Sequence, residues 1–419
     1  MDLHNYLFWA VFFETTENKM ACLLIADCLN EIFENLEEDK PTLYSCLLVN
    51  RLWCKVSVRI LWRDIWRFKY SFSYDRQTQV ELLILCTLIA CLPSESKELL
   101  EENEISAKTP TSKPSLFNYP SFCKALSIHE IGQMVDTSFK EVYIKSYRLK
   151  DGNILVAEEI VKMFMNQISS ITKLSYKLRN GYMSHIPVPK NIPISISREA
   201  NCLTDLSELR CTSDICSEFF HQLSRICHNL QLLSICIYND KVSTELKEFI
   251  TSQNNLKSLS LSIYNGNYFH DRSGFISALT KHSNTLTTLC LFVDRDYLPL
   301  SFISTFSNLQ KIVLSYSENT CNDFKELQYV AFPKLKILEI PEFCPDPMYM
   351  KKFLEVNGKN LEEICLRVNN ELPIAKLCSN LKKLFVIFDN DDEINILRDI
   401  FNNCQYLESI KFIVEDYII

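Results

Sequence analysis

The 419-residue sequence predicts an α/β fold: a repeat solenoid with parallel strands inside and helices outside, preceded by a small three-helix domain. Three observations carry that expectation. An apolar-x-x-apolar-x-apolar pattern returns through the last two-thirds of the chain, helical periodicity fills the gaps between its copies, and residues 20–66 show helical periodicity alone. Alternation within a copy and a helical repeat between copies mark strand and helix in turn. Such alternation at a regular interval stacks the strands in parallel.

Within 20–66, Leu24, Ile25, Leu29, Ile32, Phe33 and Leu36 recur at helical spacing with Asp27, Asn30, Glu31 and Glu34 between them, giving one apolar and one polar face. Asp39-Lys40-Pro41 interrupts that helix, because proline suits a first helical turn and Asp39 can cap the next helix. A second helix carries Leu43, Cys46, Leu47 and Val49, and a third, Asn50 to Trp62, carries Trp53, Val56, Ile60, Leu61 and Trp62. So small a unit has a meagre core. Its abundance of aromatic and aliphatic side chains therefore points to cover by a partner. Residues 67–135 read as a helical connector, with an exposed loop at 101–121 where Pro110, Pro114 and Pro120 sit among Ser, Thr and Lys.

The repeats fill 136–419. Clear copies are Leu230-Leu233-Ile235, Leu256-Leu259-Leu261, Leu286-Leu289-Leu291, Leu309-Ile312-Leu314, Leu335-Leu338-Ile340, Leu361-Ile364-Leu366, Leu381-Leu384-Val386 and Leu407-Ile410-Phe412. Weaker copies precede them at Phe139-Val142-Ile144, Ile171-Leu174-Tyr176 and Leu206-Leu209-Cys211. First positions lie 20 to 35 residues apart, about 27 on average. Helical patterns intervene at Ser243 to Ile250, Gly274 to Lys281, Met348 to Val356 and Glu393 to Phe401, and Met183 to Ser197, with Pro187, Pro189 and Pro193, reads as an insertion. Alternation buries one edge of each strand, and no unit can cover that edge alone, so the array stands or falls together.

The string from Leu24 to Leu36, with Asp39, Leu43, Cys46-Leu47, Val49-Asn50, Trp53 and Leu61-Trp62-Arg63, resembles an F-box. Leu24, Asp27, Ile32, Phe33, Val49 and Trp53 match that family in type and spacing, and Ile25 stands where proline is common. The resemblance covers 20–66. It implies docking onto the Skp-type adaptor of a cullin-RING ubiquitin ligase through Leu24, Ile25, Leu29, Ile32, Phe33, Leu43, Leu47, Val49 and Trp53. The remainder is similar to a degenerate leucine-rich-repeat solenoid, whose repeat length brackets the observed spacing. An Asn-Leu lead-in recurs at Asn229, Asn255, Asn308, Asn360 and Asn380, and Cys227, Cys378 and Cys404 stand three residues before the first Leu. The ninth position departs from that family: Tyr238, Tyr264, Asp294, Ser317, Phe343, Asn369, Asp389 and Glu415 replace its buried Asn or Cys, apart from Asn369.

Composition removes several kinds of chemistry. Only six glycines are present, the closest pair eight residues apart, so no G-x-G-x-x-G, P-loop or G-x-S-x-G elbow exists. A net charge of -8 without a basic run argues against a nucleic-acid backbone partner. The 18 cysteines form no C-x-x-C and sit in apolar runs, as expected of free thiols in a reducing compartment, cytoplasmic or nuclear. Leu7 to Phe13 and Leu82 to Leu92 are too short to span a bilayer, so no membrane partner is expected. His129-Glu130 lacks its second His, with Gln133 in that place, and Asp389 to Glu393 has Ile394 where a calcium loop needs Gly. Cys211, Cys216, Cys227 and His228 lack paired-ligand spacing. No catalytic residue, metal or cofactor is expected.

The outward strand positions are mixed and partly apolar, which suits a protein ligand. Phe292, Arg367, Phe385 and Lys411 are the candidate target-binding residues. The sequence thus points to a non-catalytic substrate-recognition subunit of an SCF-type ubiquitin ligase, with an unidentified target protein. The alternative is a non-ligase leucine-rich-repeat scaffold whose helical unit only caps the array.

Overall fold

In a computed structural model the chain divides into two compact units, residues 1–206 and 207–419. The residues described are 26–71, 74–103, 105, 115–142, 149–176, 202–238, 242–264, 271–293, 298–316, 321–342, 345–368, 372–388 and 395–414. Leu24, Ile25, residues 104 and 106–114 of the 101–121 loop, the 183–197 segment and the acidic run 389–393 lie outside them; of that loop, Glu101 and Glu102 are helical and Tyr119 and Pro120 are buried, so it is not exposed throughout.

The first unit opens with three short helices, α1 (Ala26–Glu34), α2 (Lys40–Leu47) and α3 (Arg51–Leu61). Side-chain caps set their boundaries. Asp39 accepts from Thr42 N at 3.2 Å and from Thr42 Oγ1 at 2.7 Å, and Asn50 accepts from Trp53 N at 2.9 Å, so orphan donors at two helix starts are satisfied. A 3-10 segment, Trp62–Ser71, breaks at Asp64. Two helices come next, α4 (Tyr74–Ala90) and α5 (Ser94–Glu102). Strand β1 (Ala125–Ser127), helices α6 (Ile128–Val142) and α7 (Leu149–Gln167), and β2 (Lys173–Tyr176) complete the unit, with β1 and β2 parallel. The Phe139-Val142-Ile144 copy is corrected by α6, which contains Phe139 and Val142. Ile128, Ile131, Met134 and Val135 are buried at helical intervals, and that longer pattern governs the segment. Leu174 and Tyr176 do occupy buried strand positions.

The second unit is built on parallel strands: β3 (Glu208–Thr212), β4 (Leu232–Tyr238), β5 (Ser258–Tyr264), β6 (Thr288–Val293), β7 (Lys311–Tyr316), β8 (Ile337–Ile340), β9 (Glu363–Val368), β10 (Lys383–Phe388) and β11 (Ser409–Val414). Each pairs in parallel with the next in sequence order. The register places corresponding pattern positions side by side, Leu209, Leu233, Leu259, Leu289, Ile312, Leu338, Ile364, Leu384 and Ile410. One face alternates into the core and the other does not, as in β5, where Leu259, Leu261 and Ile263 are buried between half-buried serines. Helices α8 (Ser217–Ile226), α9 (Thr244–Ser252), α10 (Arg272–Thr280), α11 (Pro347–Asn357), α12 (Ile374–Leu377) and α13 (Asn395–Asn403) return the chain from strand to strand. Two returns use 3-10 segments instead, Leu300–Thr305 and Cys321–Glu326. Phe412, a core position by pattern, is 53% exposed in β11, the last strand among the described residues.

A polar ladder joins successive repeats at the helix-to-strand turn. Gln253 donates to Cys227 O (2.8 Å) and Phe249 O (3.1 Å) and accepts from Leu230 N (3.1 Å). Asn357 repeats the arrangement with Val330 O (2.8 Å), Phe353 O (3.1 Å) and Phe332 N (2.7 Å). His282 Nε2 donates to Ile250 O at 2.9 Å and Cys404 Sγ to Cys378 O at 3.8 Å. Buried backbone groups must find partners. Here the turn that leads into the next repeat supplies them, three residues before its first Leu for Gln253 and Cys404, as for the other cysteines, and four before it for His282 and Asn357. Two of the Asn-Leu asparagines also reach back one unit, Asn308 to Asn284 O and Asn380 to Lys359 O, each at 2.7 Å.

Candidate functional site

Helix α1 separates its apolar residues into two roles. Leu29 and Phe33, one turn apart, are buried, and the Phe33 ring meets Trp53 of α3 edge-on at 5.1 Å between centroids. Ile32 lies off that stripe and is 48% exposed. Leu43 and Cys46 of α2 turn inward, and burial pushes the Cys46 thiol's pKa up. Leu48 and Val49, in the turn leading to α3, are 46% and 47% exposed. Leu47 and Trp53 are half-buried. Of the proposed adaptor contacts, then, Ile32 and Val49 are available, Leu47 and Trp53 partly so, and Leu29, Phe33 and Leu43 build the core. Leu24 and Ile25 lie outside the described residues. Leu48 is an exposed apolar residue that the sequence pattern did not single out; its only signal is its place beside Leu47.

Other contacts tie this unit together. Arg63 forks onto Glu34 through two short bonds and reaches Glu37 at 3.8 Å, tying the end of α3 to α1. The guanidinium's hydrogen bonds hold the Glu34 carboxyl below the usual range. Beyond α3, Trp62 packs on Tyr119 with centroids 4.6 Å apart, and the buried Trp66 donates to Ala125 O of β1 at 2.6 Å and packs on Phe164 of α7. The three helices are therefore anchored to the rest of the first unit through tryptophans, with Ile32, Leu48 and Val49 left exposed.

On the second unit, Phe292, Arg367, Phe385 and Lys411 all occupy the strand face that alternates with the core positions. Phe385 and Lys411 are register partners on β10 and β11, and Arg367 of β9 pairs with Ile387, two residues beyond Phe385. Phe292 of β6 is three strands from β9, about 14 Å at ordinary strand spacing. The structure thus brings three of the four together. Arg367 donates its Nε to Glu342 O at 2.7 Å, and Phe292 extends an aromatic row with Tyr264 (5.3 Å) and Tyr238, which stacks on Tyr264 at 5.2 Å.

Among the described residues no group of three His, Cys, Asp or Glu side chains is placed to hold a metal ion, and no single helix is long and apolar enough to cross a membrane. Cys211 and Cys227 are buried repeat positions, and Cys216 is exposed. No protein-family model matches the chain, and no curated protein matches it.

Proposed function

We propose that this chain is the substrate-recognition subunit of an SCF-type cullin-RING ubiquitin ligase. Residues 26–66 dock a Skp-type adaptor as an F-box-like unit, and the strand face of the second unit holds a target protein. The chain contributes placement and effective concentration rather than bond chemistry. The observation that supports this most is the pairing of an apolar core, Leu29, Phe33 and Leu43, with nearly half-exposed Ile32, Leu48 and Val49 in a unit of three short helices. Large apolar side chains left exposed beside an already complete core are contact area awaiting a partner.

A second reading has its own observation. Trp66 fastens the helices to β1 and α7, and Trp62 packs on Tyr119, which suits a helical cap of a non-ligase leucine-rich-repeat scaffold. The two readings part at Ile32 and Val49. In a titration of the full chain with purified adaptor, the Ile32→Asp, Val49→Asp variant loses about 100-fold in affinity, roughly 3 kcal/mol, because two apolar contacts are replaced by desolvated charges. Its thermal midpoint stays within a few degrees of wild type, since both side chains are exposed already. A folded wild type that ignores the adaptor at micromolar concentration leaves the scaffold reading.

A further inference from the structure

The strand-entry rim of the second unit carries a shallow groove of about 400 Å³ that the target-face residues do not reach. Four lysines line it, Lys334, Lys336, Lys359 and Lys382, with one carboxylate, Glu362, and the ring of Tyr406 at one end. Glu362 accepts from Lys336 and Lys382 at 2.8 Å each, and the two ammonium groups hold its carboxyl down to about 2, so it stays ionised and offsets one charge. Lys334 spends one donor on Asn308 Oδ1 at 2.6 Å, a neutral partner. Lys359 is exposed, and its ammonium has no partner among the described residues. Four lysines against Glu362, and against Glu408, which follows Lys382 on the rim and acts on its ammonium, leave a local charge of +2 on a chain whose net charge is -8. Such a patch selects anionic groups against the field of the whole chain.

The spacing of the cations decides what kind of anion fits. Lys336 O accepts from Glu362 N, Glu362 O from Lys382 N, and Lys382 O from Glu408 N, at 2.8, 2.7 and 2.8 Å, so these rim positions stack one repeat after another. Successive units are about 4.8 Å apart, and the row from Lys334 to Tyr406 spans three steps, about 14 Å. That is the length of four or five extended residues. Lys336 and Lys382 are already engaged by Glu362, so a small compact ion finds only Lys334 and Lys359 without a carboxylate partner among the described residues. Tyr406, 61% exposed, and Pro333 add apolar contact at the two ends.

We propose that this groove docks an extended acidic segment of a partner polypeptide, its carboxylates spaced along the lysine row. The site concerns the second unit alone and is independent of adaptor docking; its failure leaves the reading of residues 26–66 untouched. The test is fluorescence anisotropy of the full chain with a labelled hexaglutamate peptide and a hexaglutamine control, at low salt and neutral pH. The wild type binds hexaglutamate and not hexaglutamine, and binding weakens as salt rises, since exposed charges are screened within a Debye length. Lys334→Glu with Lys359→Glu loses at least about tenfold. The milder Lys334→Gln with Lys359→Gln loses less, and an equal charge change at exposed Lys351 and Lys376, outside the groove, leaves affinity within about twofold. Three results overturn the proposal: no binding at low salt, equal losses in groove and control variants, or capture of anionic lipid vesicles without capture of the peptide.

Discussion

Ile32 and Phe33 are adjacent in sequence and opposite in environment, one nearly half-exposed and the other 2% exposed against Trp53. Both carry the sequence resemblance to an F-box, yet they answer different questions when changed. Phe33→Ala removes a buried ring and costs about 3–5 kcal/mol of stability, read as a lower urea midpoint; any loss of docking then comes with the loss of fold. Ile32→Asp leaves the fold in place. His282 gives a second prediction at this scale. Burial holds its imidazole below the ordinary value, Lys281 adds to the effect, and the bond to Ile250 O opposes it. With the folded-state pKa depressed, the unfolded chain takes up the proton first. Stability present above about pH 6.5 is therefore lost as pH falls toward the folded-state value. His282→Gln lacks that titration, so urea unfolding at pH 7 and pH 5 shows a smaller difference in the variant than in the wild type.

At the scale of elements, the joints between repeats are held by buried side chains as well as strand pairing. Asn357 satisfies three backbone groups, two of them in the preceding return segment, and Gln253 does the same earlier in the array. Asn357→Leu strands Val330 O and Phe332 N without partners and costs about 2–4 kcal/mol in urea unfolding, whereas Asn308→Ala, at an exposed bond, costs less than about 1. Much of the second unit was legible because core alternation is local: each Leu-x-x-Leu-x-Leu copy from Leu206 onward falls on a strand in the expected register. The Phe139 copy was not, because three apolar positions fit either element and only the longer run from Ile128 distinguishes a helix. The three-residue β1 is too short to leave a period. The 3-10 return before β7 buries Leu300, Ile303 and Phe306 at every third residue, in a segment too short for that spacing to be told from an α-helical one. The polar ladder was visible only at Cys404, one of the cysteines before a first Leu; nothing in a linear pattern reveals that Gln253, His282 and Asn357, the last two shifted by one residue, make like bonds to the preceding repeat.

In the whole molecule, the first unit carries exposed Ile32, Leu48 and Val49, and the second carries a mixed strand face and a cationic groove on its rim. The exposure of Ile32 and Val49 was not readable from the sequence, since helical periodicity names a stripe and not its neighbours; in α1 the packing of Phe33 on Trp53 turns the buried stripe inward and leaves Ile32 outside. The most direct measurement is amide hydrogen exchange of the full chain with and without the Skp-type adaptor, which reports opening segment by segment. Adaptor docking through residues 26–66 gives added protection confined to α1, α2 and the turn at Leu48 and Val49, with the strands β3 to β11 unchanged. Protection spread over the strands of the second unit with none in residues 26–66, or no change anywhere with adaptor in excess, contradicts it.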